Sequence, residues 1–97
     1  MLGKPILAPH EAFGRVLRQA RVTAGMSQEQ LGLEAGVQRN FISLIELGQN
    51  QPTVTTVFKL AKALNISASA LVVATEVMMK DGVVDTKTLR GTITSEP

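Results

Sequence analysis

The side chains that could perform catalysis are present, but their spacing does not support it. The 97-residue chain has no cysteine and one histidine, which excludes thiolate chemistry, disulfides and zinc sites with sulfur ligands. Ser27, Ser43 and His10 stand in no pattern that pairs a nucleophile with a base. No glycine-rich loop follows a predicted strand, as a nucleotide-binding loop would require. The sequence therefore predicts no catalytic residue, no cofactor and no bound metal.

The charged side chains are distributed unevenly along the chain. Residues 1–62 carry seven Lys or Arg and four Asp or Glu, which gives a net charge of +3. Residues 63–97 carry three Lys or Arg and four Asp or Glu, which gives a net charge of −1. A polyanionic partner could bind the first two-thirds of the chain, although so small an excess does not require one. The three aromatic residues are all Phe, which argues against the base-stacking surfaces of single-strand binding proteins.

The composition is that of a single soluble domain. Hydrophobic residues make up 44% and charged residues 19% of the chain, which is an ordinary globular mixture. A chain of this length supplies one core rather than two. No apolar run approaches the roughly 20 residues of a membrane span, and the stretch from Met1 to Pro9 is too short for a secretion signal. We therefore expect a cytoplasmic protein that makes no contact with a membrane.

Apolar residues at helical spacing, interrupted by cap and turn residues, predict five helices and no strand before residue 83. The residues expected to start and end these helices are Pro9 and Gly25, Ser27 and Gly36, Gln38 and Gly48, Thr53 and Asn65, and Ser67 and the Asp81-Gly82 turn. Ser27 and Gln30 have the spacing of a capping box. The third helix is expected over about residues 39–47 and the fifth over about residues 68–79.

The chain is therefore predicted to be all-α and to consist of three parts. Residues 1–8 contain Gly3 and Pro5 without any periodicity, which indicates a loose N-terminal arm. Residues 9–79 hold the five helices as one domain. Residues 80–97 are rich in Thr and Val, which is compatible with an extended strand, a dimer arm or a disordered tail.

The segment from Ser27 to Gly48 has the pattern of a helix-turn-helix. Two short helices follow each other, with Gly36 between them, where a positive φ lets the chain turn sharply, and Val37 directly after it. Gly32 allows the two helices to approach closely. In proteins with this motif the second helix enters the major groove of DNA. The pattern alone also fits an ordinary helical corner.

A longer set of residues resembles the Cro/CI-type (XRE-type) helix-turn-helix family, which includes lambda-like phage repressors and restriction–modification controller proteins. The resemblance covers about residues 12–72. The matching residues are Arg21, Gly25, Ser27, Gln28, Leu31, Ala35, Gly36, Val37, Phe41, Ile42, Ser43, Ile45, Glu46, Gly48, Pro52 and residues 60–64. The resemblance implies a five-helix lambda-repressor-like domain that carries the motif in helices 2 and 3. It also implies a transcriptional regulator, typically a repressor, that binds a palindromic operator in double-stranded DNA.

The resemblance also implies which side chains contact base edges. They lie on the third helix, on the side away from Ile42 and Ile45. A guanidinium can bind guanine through two hydrogen bonds, a carboxamide can bind adenine in the same way, and a leucine can contact a thymine methyl group. The expected base-contacting residues are Arg39, Asn40, Ser43 and Leu44.

Neutral polar residues are expected to contact the DNA backbone. Gln28 opens the second helix, where free backbone N–H groups also favour an anion. The other phosphate contacts that the resemblance implies are Gln38, Gln49, Asn50 and Gln51. Leu47 stands where family members often carry Arg or Asn, so one phosphate contact is lost at that position.

Arg21 and Glu46 are expected to have a structural rather than a functional role. The resemblance implies that they form a partly buried ion pair between the first and third helices. Such a pair would orient the third helix against the rest of the domain.

The fifth helix predicts a homodimer. Its apolar residues exceed what a five-helix core needs, and an exposed apolar strip usually marks an interface. The predicted interface residues are Leu71, Val72, Val77 and Met78. The alternative is that this helix only closes the core of its own chain.

A second class of function fits the same fold. An antitoxin-like or adaptor module would use the apolar Leu44 and Leu47 to bind a protein, and the weak positive charge favours it. Gln28, Arg39 and Asn40 oppose it, because they are the residue types that bind phosphates and base edges.

Overall fold

The part of the chain that the structure describes contains five α-helices with defined bounds, and residues 87 and 89 beyond them are also helical. The structure is a computed structural model, and it describes residues 7–84 together with residues 87 and 89. In chain order the helices are α1 (Pro9–Thr23), α2 (Gln28–Ala35), α3 (Arg39–Glu46), α4 (Val54–Leu64) and α5 (Ala68–Asp81). The predicted all-α class and the five helices are confirmed, and no strand occurs in the described residues.

The predicted arm over residues 1–8 and the predicted tail over residues 80–97 lie mostly outside the described residues. α5 continues to Asp81, two residues past its predicted end. Farther along the chain, Leu89 packs into the core and is 5% exposed. The core of the domain therefore includes at least one side chain beyond residue 79.

Local cap interactions fix the ends of the two helices of the helix-turn-helix. The Oγ of Ser27 accepts a hydrogen bond from the backbone N–H of Gln30 at 3.0 Å, and the Oε1 of Gln30 accepts one from the backbone N–H of Ser27 at 2.9 Å. The predicted capping box is therefore confirmed. Gly36 ends α2 with a φ of 72°, which glycine adopts without steric cost. Gln38 takes the cap position of α3, but its side chain makes no cap hydrogen bond, and α3 ends one residue before Leu47.

The core is built where α1 packs against α3 and α5, α2 against α3 and α4, and α4 against α5. The largest fully buried side chains are Val16, Leu17, Leu31, Ile42, Ile45, Leu60 and Leu71. Each such aliphatic side chain contributes about 1.5–3 kcal/mol by its burial. Among the described residues no single helix is both long and apolar enough to cross a membrane; α4 and α5 meet that requirement only as a pair, bent by 105°.

Two residues that were predicted at the dimer interface lie in this core. Leu71 is fully buried and Met78 is 4% exposed. Both lie on the face of α5 that packs against α1, together with the buried Ala74, so neither has a surface to offer a partner. Their assignment to an interface is therefore wrong. Val72 and Val77 are at least partly exposed and remain available.

α1 and α3 approach so closely that only a glycine fits between them. A Cβ atom at Gly14 would overlap the carbonyl oxygen of Ile45 and would lie 2.9 Å from that of Glu46. Within the helix-turn-helix, a Cβ atom at Gly32 would lie 2.5 Å from the carbonyl oxygen of Val37. The close approach predicted at Gly32 is confirmed, whereas no sequence pattern indicated the one at Gly14.

Candidate nucleic-acid interface

α3 is anchored to the core on one side and faces solvent on the other. Ile42 and Ile45 are fully buried and hold the helix in place. The helical rotation of about 100° per residue places Asn40, Ser43 and Leu44 on the opposite side and Arg39, the first residue of the helix, at the edge of that side. On this outer face, Arg39 and Asn40 are exposed, and Ser43 and Leu44 are half-buried.

The N-terminal end of the outer face carries two side chains without partners. Within the described residues, Arg39 and Asn40 make no hydrogen bond and no ion pair. A guanidinium offers five N–H donors in a plane, and a carboxamide offers both donors and acceptors. Held on a rigid helix, these groups can form paired hydrogen bonds with a planar polar edge.

An ion pair between α1 and α3 fixes the position of the outer face. The Nε of Arg21 donates to the Oε2 of Glu46 at 2.7 Å, and its Nη2 donates to Oε1 at 3.1 Å. The third arm of the guanidinium, Nη1, donates to the carbonyl oxygen of Met26 at 2.8 Å. The side chains are only 11% and 3% exposed. The hydrogen bond to Glu46 raises the pKa of Arg21 above its usual value, against the opposing effect of burial, and the negative charge of Glu46 adds to the rise.

The same carboxylate also binds Gln28, which the sequence did not predict. The Nε2 of Gln28 donates to the Oε1 of Glu46 at 3.0 Å, so Glu46 links α1, α2 and α3. One N–H of the Gln28 side chain is occupied by this bond and the second is left for another acceptor. Gln28 and Glu46 are 18 residues apart, a separation at which no sequence periodicity signals a contact.

The other polar residues predicted to contact phosphate lie just before and just after α3. Gln38, Gln49 and Gln51 are exposed, and Asn50 is half-buried. The backbone N–H groups of Gln49 and Asn50 donate to the carbonyl oxygen of Leu44 at 2.9 and 3.3 Å. These bonds hold the loop against the end of α3. Polar side chains that can donate hydrogen bonds therefore lie at both ends of the helix.

Leu47 directly follows α3 and is 65% exposed. Its position on the helical rotation is in the middle of the outer face. An exposed leucine offers no hydrogen-bond donor, so this end of the face has apolar character.

An apolar groove runs between α4 and α5, away from α3. Its rim is formed by side chains that are 44–74% exposed, namely Val54, Phe58, Val72 and Val73. The sequence pattern placed Val54 and Phe58 among the apolar positions of the fourth helix, and it could not show that they lie at the surface.

Two short helices that meet at Gly36, the second anchored by Ile42 and Ile45 with its polar end free, define a helix-turn-helix domain. Residues 17–71 match a family model described as helix-turn-helix, so the chain belongs to that family. The family resemblance in the sequence is therefore confirmed. In the described ranges, no three His, Cys, Asp or Glu side chains come together as a metal site.

Three relatives illustrate what the chain is similar to. It is 34% identical over 64 residues to an uncharacterized HTH-type transcriptional regulator of Sinorhizobium fredii, an alignment that covers 66% of this chain and 78% of the relative. It is 37% identical over 60 residues to the control protein C.BamHI of Bacillus amyloliquefaciens, covering 61% and 74%. Among solved structures, the restriction-modification controller protein C.AhdI from Aeromonas hydrophila superposes with a TM-score of 0.65 and 35% identity, covering 67% of this chain and 98% of that one.

Proposed function

We propose that this chain is a transcriptional regulator that binds double-stranded DNA by inserting α3 into the major groove. The observation that carries the proposal is the N-terminal end of α3, where Arg39 and Asn40 are exposed and without partners on a helix held by the core. The relatives named as a transcriptional regulator and a control protein support the same class. A regulator of the repressor or controller type acts on DNA in the cytoplasm and needs no catalytic group.

The chemistry of the outer face suits base edges. Arg39 matches the O6 and N7 acceptors of guanine, and Asn40 matches the N6 donor and N7 acceptor of adenine. Ser43 can accept or donate, and Leu44 can pack on a thymine methyl group. Because each of these contacts depends on the base, the arrangement favours sequence-specific binding.

Backbone contacts would come from the polar groups around α3. At the start of α2, the backbone N–H groups and the second side-chain N–H of Gln28 can donate to a phosphate. Gln38 before α3 and Gln49, Asn50 and Gln51 after it can donate in the same way. Because all of these donors are neutral, they position the helix and add little salt dependence.

Replacing Arg39 with Ala tests the proposal directly. Bound sequences are first selected by the wild type from a random duplex library, and binding of the selected duplex is then measured by fluorescence anisotropy. We expect Arg39→Ala to weaken this binding by about 1–3 kcal/mol and to relax the preference at one position in each half-site. Lys62→Ala is the matched control, because Lys62 is an exposed cation on α4, which packs against α2 and α5.

Other results would change the assignment. An equal loss on every duplex would mean that Arg39 binds phosphate rather than a base. A wild type that binds no duplex even at low salt would support the second candidate, an antitoxin-like or adaptor module. The observation that favours this candidate is Leu47, which is 65% exposed in the middle of the outer face.

We further propose that two copies associate through the apolar groove between α4 and α5. A two-fold axis brings the same surface of both chains together, and it would present two α3 helices to successive major grooves, about 34 Å apart. The exposed rim residues Val72 and Val73 replace Leu71 and Met78 as the central contacts. A palindromic operator would match this symmetry.

Val72→Asp is expected to weaken self-association at least tenfold, because an unpaired carboxylate would be removed from water at the centre of the contact. Sedimentation velocity across a concentration series measures the effect. The control is Val22→Asp on α1, since Val22 is 52% exposed and Val72 is 50% exposed. A wild type that sediments as a monomer at all concentrations, or a Val72→Asp variant that behaves like the control, would contradict the proposed interface.

A further inference from the structure

The C-terminal end of α3 has no cation of its own. Its last turn contains no basic residue, the carboxylate of Glu46 is bound by Arg21, and Leu47 offers no donor. The loop that follows carries only the neutral Gln49, Asn50 and Gln51. If DNA lies along α3, a cation that binds phosphate at this end has to come from another helix.

α1 packs against α3 and carries exposed cations. Gly14 of α1 lies against the carbonyl oxygens of Ile45 and Glu46, and seven residues later Arg21 binds Glu46. Because an α-helix has 3.6 residues per turn, Arg18 lies on the same side of α1 between these two contacts.

Arg15 stands on the adjacent side of α1, beside Leu47. These two residues line one surface hollow together with Glu11 and Gly48. Arg15 and Arg18 are both exposed, and within the described residues neither makes a hydrogen bond or an ion pair. We call Arg15 and Arg18 the α1 cation pair.

The direction of α3 would bring the α1 cation pair to the edge of the groove. In helix-turn-helix complexes the N-terminal residues of the recognition helix contact base edges, and Arg39 is the first residue of α3. When Arg39 at one end of α3 reaches the base edges, the other end and the flank of α1 lie where the groove meets the sugar–phosphate strand.

We propose that Arg15 and Arg18 of α1 form a phosphate-binding surface that flanks the C-terminal end of α3. This inference rests on the proposed function of duplex binding and adds a second element to it. Arg18 makes the larger contribution, because the acidic Glu11 lies one turn before Arg15 and lines the same hollow, so its negative charge offsets part of the charge of Arg15. The contact is to phosphate and does not depend on base sequence.

A purely structural role makes a different prediction. Cations near the C-terminus of a helix stabilise it by interacting with the helix dipole, and the α1 cation pair is close to that end of α3. In that case, removing the charges would lower the stability of the protein and leave the salt dependence of DNA binding unchanged.

The test measures the affinity for a random-sequence duplex by fluorescence anisotropy at several salt concentrations. The logarithm of affinity falls with the logarithm of salt by about 0.9 for each phosphate contact. We expect Arg18→Ala to reduce this slope by about 0.9 per bound subunit. Extrapolated from 1 M to 0.1 M salt, this change in slope is about an eightfold loss of affinity relative to the wild type. Arg15→Ala should give a smaller change in the same direction, and Arg18→Lys should retain the wild-type slope.

Lys62→Ala, which removes an exposed cation on α4, is the control. The inference is overturned if Arg18→Ala has the same slope as Lys62→Ala while the wild type binds the duplex. It is equally overturned if Arg18→Ala lowers the urea midpoint without changing the slope, because that result assigns the cation to the helix dipole. A wild type that does not bind the duplex at any salt concentration rejects the proposed function itself.

Discussion

Glu46→Ala is expected to lower the free energy of unfolding by about 3 kcal/mol, measured by urea denaturation. Removing one partner of a buried ion pair typically costs about 3–5 kcal/mol, because the remaining charge stays buried without compensation. The lower end of this range applies here, since the side chain of Arg21 retains 11% of its exposure. Gln28 also loses its acceptor in this variant, which leaves a second donor unpaired.

Two further measurements separate charge from geometry. Glu46→Gln keeps an acceptor oxygen without the charge, so its loss of unfolding free energy should lie between zero and the loss of Glu46→Ala.

The pKa of Arg21 is raised in the folded state. Its contribution to the free energy of unfolding is therefore fully present at pH values below its unfolded-state pKa, and it is lost only as the pH rises through its folded-state pKa. The contribution of Arg21 should therefore be constant from neutral to moderately alkaline pH. A loss below about 1 kcal/mol for Glu46→Ala would mean that the pair behaves as a surface ion pair.

Gly14→Ala is expected to destabilise the protein by about 2 kcal/mol, although alanine is the better helix former. Replacing a glycine with alanine inside a helix normally gains about 1 kcal/mol. Here the new Cβ atom would meet two backbone carbonyl oxygens at the end of α3, and backbone cannot move aside as a flexible side chain can. Overpacking costs about 1–3 kcal/mol, occasionally more; the upper end applies to a Cβ atom that overlaps a backbone oxygen, and subtracting the propensity gain leaves about 2 kcal/mol.

The control for Gly14→Ala is Val22→Ala, which raises helix propensity at a position of α1 that is 52% exposed. This variant should be as stable as the wild type or slightly more so. Thermal unfolding followed by circular dichroism compares the two. If Gly14→Ala were as stable as Val22→Ala, α1 and α3 would not be in close contact at Gly14.

Features that depend on a few neighbouring residues were predictable from the sequence. The capping box of Ser27 and Gln30 uses two side chains three residues apart, and the left-handed ends at Gly36 and Asn65 follow from residue types that tolerate a positive φ. These signals define where the helices begin and end. Together with the inward Ile42, they were enough to give the all-α class and to place α3.

Features that depend on how the helices pack were not predictable in the same way. On α5, Leu71 and Val72 are adjacent and equally apolar, yet one is fully buried and the other half exposed, because only the packing against α1 decides which side faces inward. The requirement for Gly14 and the bond between Gln28 and Glu46 arise from contacts across 18 or more residues of chain. Apolar periodicity indicates which residues share one side of a helix, but it does not indicate which element that side packs against.

Three helix ends in this domain meet at the side chain of Glu46, and we expect them to unfold locally together. The Oε1 of Glu46 accepts hydrogen bonds from both Arg21 and Gln28, so the end of α1, the start of α2 and the end of α3 depend on the same atom. A fluctuation that releases the end of α3 therefore removes bonds from both α1 and α2. Protected backbone amides in the three segments should therefore report one similar free energy of opening by hydrogen–deuterium exchange, as a single cooperative unit, rather than fraying helix by helix.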